Sequence, residues 1–171
     1  MRNRDVLNSL SKEQLIELLE IYSKNWLALD GVWFQSVEDK FGMDEAIFHD
    51  KRAWERFTVI EARRIRDFLK LGENAGLDGL SKALELRFYG CLNDYEIKLG
   101  EDVLYFANVD CRVQTARRRK GMELHPCKEI SVIEYTEFAK AIDPRINCRC
   151  VSCYPDVTDD RVCCSWEFYI Q

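Results

Sequence analysis

Residues 95–113, YEIKLGEDVLYFANVDCRV, decide the fold class of this 171-residue chain. Here the spacing of apolar residues changes from three or four to two. Alternation with β-branched and aromatic content predicts two strands joined near Gly100-Glu101-Asp102 by a hairpin-type turn. Upstream the pattern is helical. Ser11 and Gln14 form a capping-box signature, and Leu15, Leu18, Leu19, Tyr22, Trp26, Leu29 and Trp33 recur as one helix face should. This predicts a long helix, bent at Gly31, running to about Lys40 and ended by Gly42. Asp50 is placed as the cap of a second helix, with Trp54, Phe57, Ile60, Ile65, Phe68 and Leu69 turned inward and with Gly72 and the following turn closing it. A third helix is expected over residues 77–89, with Leu80, Leu84 and Phe88 as its stripe.

Downstream, VQTARRRKG reads as a short helix ended by Gly121, and ISVIEYTEFAKAI as another stopped by Pro144. RINCRCV and RVCCSWEFYI read as two more strands joined by a long loop. The expectation is one α+β domain over residues 1–171, with a helical part (about 1–90) packed on a four-stranded antiparallel sheet (about 91–171).

Composition narrows the function. With 47% hydrophobic and 32% charged residues the chain should fold as a globular protein. A net charge of -5 disfavours nucleic acid as a partner. No window approaches the roughly 20 apolar residues of a membrane span. The N-terminal stretch lacks an unbroken apolar run of signal-peptide length, so a cytoplasmic location with reduced thiols is expected. The expected partner is a small molecule, with a homodimer as a further option.

Five of the eight cysteines fall in NCRCVSCYPDVTDDRVCCSW, residues 147–166. Strand alternation puts Cys148 and Cys150 on one face, and Cys164 with Trp166 and Phe168 on the face it meets. Cys150 and Cys153 form a C-x2-C knuckle, the spacing that grips one tetrahedral ion. Cys164 supplies a third ligand. Cys127 completes the expected metal set, with Cys111 as its spare; Cys148 is weaker and Cys163 is expected to face outward. Zinc is the expected ion and an iron–sulfur cluster the alternative, although the ferredoxin cysteine run is absent. The competing readings are small buried thiols and a redox dithiol at Cys150 and Cys153.

The tail CVSCYPDVTDDRVCCSWEFYI, the segment DCRVQTARRRKG with HPCKE after it, and WLALDGVWFQSVEDKFG together resemble a family of uncharacterised prokaryotic cytosolic proteins. That family is similar to 4-vinyl reductase-like and L-2-amino-thiazoline-4-carboxylate hydrolase-like domains. The resemblance implies a helix-flanked antiparallel sheet, a pocket between helices and sheet, and cysteines at positions 111, 127, 150, 153 and 164, with Cys148 and Cys163 as departures. It also implies binding of small molecules and metal.

Outside the cysteines, Asp30 lies on the aromatic stripe, so Trp26, Asp30, Trp33 and Trp54 are the expected ligand pocket, with Asp30 as an acid of raised pKa. Its bland alternatives are pairing with an arginine of the second helix or capping a restart after Gly31. Glu38 and Glu61 are further candidate acids that helical salt bridges explain equally well. The run 117–120, RRRK, reads as a solvated helix end. His125 is either a ligand or a loop residue, and His49 belongs to a helix entry. The leading functional reading is a small-molecule-binding or sensor-type protein with a structural cysteine-ligated zinc. The alternatives are a hydrolase- or reductase-like enzyme using a pocket acid or an open metal position, and an iron–sulfur redox protein.

Overall fold

A computed structural model describes residues 4–170. After a single turn, α1 (Asp5–Asn8), come α2 (Lys12–Phe41), α3 (Met43–Leu69) and α4 (Gly76–Glu85). A 3-10 turn (Phe88–Cys91) leads into the hairpin β1 (Asp94–Leu99) and β2 (Val103–Asp110). Helices α5 (Arg112–Arg119) and α6 (Lys128–Ile142) then precede β3 (Ile146–Cys153) and β4 (Cys164–Ile170). The sheet is antiparallel throughout, in the order β1-β2-β4-β3. An α+β arrangement, with a helical N-terminal half and a four-stranded antiparallel sheet in the C-terminal half, is what the change of period announced.

The layers run outward from the sheet. The inner face, with Leu104, Phe106, Trp166, Phe168 and Ile146 buried, is covered by α6 and α4. Helix α3 packs on α6, and α2 lies outermost, on α3 and the 3-10 turn. Small and polar residues line the covered side of α3: Ala46, Asp50, Thr58, Glu61 and Ala62 are buried with Trp54. Thr58 Oγ1 donates to the Glu134 carbonyl of α6 at 2.9 Å, so the two helices meet at close range. The expected inward residues Ile60 and Phe68 are exposed instead.

The helix boundaries depart from expectation where single residues act. The Ser11–Gln14 capping box forms as read. Gly42, at φ 91°, ends α2 and starts α3 at once, so Asp50 lies two turns inside α3, and not at its cap. Lys70, in the left-handed region, ends α3 before Gly72 is reached. The third helix stops at Glu85. Gly90 in the following 3-10 turn has no room for a side chain, since a Cβ would sit 2.4 Å from the Glu85 carbonyl oxygen. The apolar stripe of α2 is also left bare: Leu19, Tyr22, Trp26, Leu29 and Trp33 are all exposed, and only Ser23 and Phe34 of the helix are buried. Being the outermost layer, α2 has this chain on one side only. Among the described residues no helix is long and apolar enough to cross a membrane.

The tight turn delivers Arg87 into the interior, where it is 3% exposed. Its Nε donates to Glu61 Oε2 of α3 at 3.0 Å, and its Nη2 lies 2.6 Å from Glu134 Oε1 of α6. The second Glu61 oxygen accepts from the Phe88 amide at 3.2 Å. Aromatic rings sheathe the guanidinium, nearest Phe138 at 4.7 Å and Tyr135 at 5.4 Å. Removing one partner of a buried pair strands the other charge, at a cost of about 3–5 kcal/mol. Arg87→Met should therefore cost about 3–5 kcal/mol in urea unfolding, and a change below about 1 kcal/mol, the scale of an exposed pair, would contradict the clamp.

Candidate functional site

One end of the sheet carries the thiols, and an irregularity in β3 sorts them. Cys148 pairs with Phe168 and Cys150 with Trp166, but the register then slips so that Ser152 faces Ser165 and Cys153 faces Cys164. Val151 is the additional residue of a β-bulge. It returns Cys153 to the inner face, which simple alternation would deny it. Ser152, turned to the other face, accepts from the Thr158 and Asp159 amides at 3.0 and 3.2 Å, so the loop between the strands folds over it. Asn108, Cys164 and Cys153 thereby form a row across β2, β4 and β3. Asn108 Nδ2 donates to Cys164 Sγ at 3.3 Å and to the Tyr135 hydroxyl at 3.1 Å.

Facing that row, Cys127 stands at the N-cap of α6. Its Sγ lies 3.2 Å from His125 Nδ1, and Gln114 Nε2 of α5 donates to it at 3.1 Å. The other imidazole nitrogen, Nε2, lies 3.5 Å from Asp50 Oδ2 of α3. Gln114 fixes the His125 backbone from both sides, donating to its carbonyl at 2.7 Å and accepting from its amide at 3.1 Å. The imidazole leans on Phe34 of α2, ring centres 4.7 Å apart. His125, Asp50 and Gln114 are all buried. A thiol, an imidazole and a carboxylate thus stand in line.

The line opens on a cavity of about 400 Å³ enclosed by α2, α3, α5, α6 and the sheet. Its walls include Asp30, Asp50, Glu134, Cys127 and Cys164. Cys163, expected to face outward, is on this wall and Cys150 is not. Trp26, Asp30, Trp33 and Trp54 line a second hollow of about 320 Å³, with Asp30 common to both. Of the four cysteines expected at a metal, the Cys153 thiol reaches those of Cys150 and Cys164, whereas Cys127 is engaged by His125 and Gln114. Among the described residues no group of three or more His, Cys, Asp or Glu side chains is gathered as a metal ion requires, so the geometry lends no support to the zinc or iron–sulfur expectations. The spare, Cys111, caps α5 on the cavity wall.

Residues 8–170 match the model of a family of unknown function, DUF6125. The chain belongs to that family. Neither the curated proteins nor the solved structures compared with it contain a match.

In this DUF6125 chain the three candidate acids separate by partner. Glu38 is gripped by Arg117 through two hydrogen bonds of 2.8 and 2.6 Å, which hold its carboxyl below the usual range. This also makes Arg117 a buried structural cation, so only the rest of the RRRK run is a solvated helix end. Glu61 is committed to Arg87 and Phe88. Asp30 makes no hydrogen bond or ion pair among the described residues. Burial and the nearby Asp50 push its carboxyl up to about 6, against an opposing pull from His125. Burial likewise raises Glu134 to about 7 despite Arg87. Cys164 is held below the ordinary thiol range by the donors Cys153 and Asn108, while burial and the neighbouring Cys111, Cys164 and Glu134 push Cys127 up.

The Asp50–His125–Cys127 line was missed in the sequence, where Asp50 passed for a helix cap. The available signal was a histidine two residues from a cysteine in a chain with only two histidines. The raised Asp30 carboxyl has a consequence for stability. An acid whose folded pKa of about 6 exceeds its ordinary 3.8 destabilises the fold when ionised. That cost is absent below the ordinary value, grows as pH rises through 6, and is constant above. Asp30→Asn should therefore raise stability by up to about 3 kcal/mol above neutral pH and leave it unchanged in acid, as thermal melts across pH would show.

Proposed function

We propose that this protein binds a compact small molecule with an apolar body and a cationic group in the cavity between its helices and sheet. The supporting observation is Asp30, a carboxylate without an ion-pair partner on a wall otherwise rich in apolar and aromatic side chains. Ligand sites commonly combine a mostly apolar lining with a few convergent polar groups, in volumes of about 300–1,000 Å³. Asp50 stands on the same wall, Glu134 is committed to Arg87 and Arg117 to Glu38, and the wall's remaining cations, Lys24, Arg112, Arg119 and Lys120, are exposed to solvent. A cationic group beside Asp30 would restore the ionised carboxylate that burial disfavours, and its apolar body would fill space next to Trp54 and Phe34. The likeness to 4-vinyl reductase-like domains read from the sequence points the same way, toward a small-molecule pocket.

Benzamidine, a flat aromatic amidinium, is a suitable probe, read through the fluorescence of Trp54 on the cavity wall. Saturable binding is expected near neutral pH, weakening as the solution is taken below pH 6 and Asp30 gains its proton. Asp30→Asn should weaken it by about tenfold or more, the worth of a charge-assisted hydrogen bond. Equal affinity in folded Asp30→Asn, or no saturable change in the parent protein, would contradict the reading.

A further inference from the structure

We infer that Cys127 is the nucleophile of an acyl-transfer site, with His125 as its base and Asp50 positioning the imidazole, acting on a small ester or carboxamide held in the cavity. The inference deepens the binding reading and rests on it for the substrate's place. Nucleophilic cysteines need a base within hydrogen-bond reach and a third group that orients the base. Cys127 Sγ to His125 Nδ1 at 3.2 Å and His125 Nε2 to Asp50 Oδ2 at 3.5 Å meet both needs. The three come from different elements, the N-cap of α6, the loop before it and the second turn of α3. Gln114 holds the His125 backbone through both its amide oxygen and its nitrogen, and the same nitrogen donates to the sulfur at 3.1 Å. That places a donor beside the sulfur, where it stabilises the negative charge that forms as the thiol loses its proton.

The other cavity thiols are poorer candidates. Cys164 carries donors from Asn108 and Cys153 on its sulfur and has no base beside it. Cys111 and Cys153 have no imidazole within reach. Burial keeps the proton on Cys127 until a base takes it, and the N-terminal end of α6 favours the negative charge that then develops.

In the first step the sulfur attacks the carbonyl carbon as its proton passes to His125 Nδ1, forming a C–S bond. The bond to the alcohol or amine then breaks, and the leaving group takes that proton. Water, giving a proton to the same nitrogen, next attacks the thioester. The carboxylic acid departs and the proton returns to sulfur, so thiol and imidazole are restored.

The test uses the full chain with p-nitrophenyl acetate, following nitrophenolate release and mapping the acetyl group by peptide mass spectrometry. One equivalent of rapid release with acetyl on the Cys127 peptide is expected. His125→Gln should slow it by about 100-fold, the scale of general-base catalysis. Asp50→Asn should slow it in the same direction and Asp50→Glu should recover most of the rate, a rescue that a purely structural role of Asp50 would not give. Acetylation spread over the exposed Cys91 and other cysteines, or a rate unchanged by His125→Gln, would overturn the assignment. Mapping on the unmodified sequence keeps the test valid if Cys127→Ala does not fold. Benzamidine binding without acetylation removes the nucleophile and leaves the binding reading. Acetylation of Cys127 without benzamidine binding removes the cationic ligand and leaves the nucleophile.

Discussion

The buried guanidinium of Arg87 ties α3 to α6. Arg87 reaches the interior from a turn that only glycine at position 90 allows, and it meets one carboxylate from α3 and another from α6. Three charged groups in a nearly dry interior are costly unless their geometry is good; the Glu61 side is hydrogen-bonded by Arg87 Nε and the Phe88 amide, while Glu134 Oε1 meets Arg87 Nη2 at 2.6 Å as an ion pair without hydrogen-bond alignment. The clamp also sets the distance between the two helices that carry Asp50 and Cys127. Two carboxylates share one guanidinium, and burial raises Glu134 to about 7. Burial thus favours the neutral form of Glu134, which relieves the excess of two carboxylates over one guanidinium.

The sorting of the thiols follows from a second constraint, the bulge at Val151. Without it Cys153 would lie on the outer face with Ser152 inside. With it, Cys153 and Cys164 close the floor of the cavity opposite the N-terminus of α6. The crowding of cysteines is thereby divided among different neighbours. Cys148 is held against Thr136, Cys150 and Cys164 flank Cys153, and Cys127 belongs to an imidazole.

Much of the fold was legible because burial on one side imposes a period, and the change past Gly90 marks where the first strands begin. The hairpin of β1 and β2, the helix α6 and the strands β3 and β4 all carried that signal. The start of α3 did not, since one glycine with positive φ replaced the loop that two separate helices would suggest. Nor could the bareness of α2 be read: its stripe is amphipathic, but periodicity does not say whether a partner surface lies in the same chain. The four residues expected around an aromatic pocket do share a hollow, because helical spacing places Trp26, Asp30 and Trp33 on one face of α2 and α3 brings Trp54 opposite. The Asp50–His125–Cys127 line was invisible for a different reason. Buried polar residues carry no hydrophobic period, and their meeting depends on the packing of α3 against α6.

The central claim, that the fold holds Cys127, His125 and Asp50 in one preassembled line, is open to direct measurement by imidazole proton–nitrogen correlation spectra of the 15N-labelled protein. With only two histidines the signals are readily assigned. The account predicts that Cys127→Ser shifts Nδ1 of His125, that Asp50→Asn shifts its Nε2, and that both leave the partly exposed His49 unmoved. His125 signals indifferent to both substitutions would contradict it.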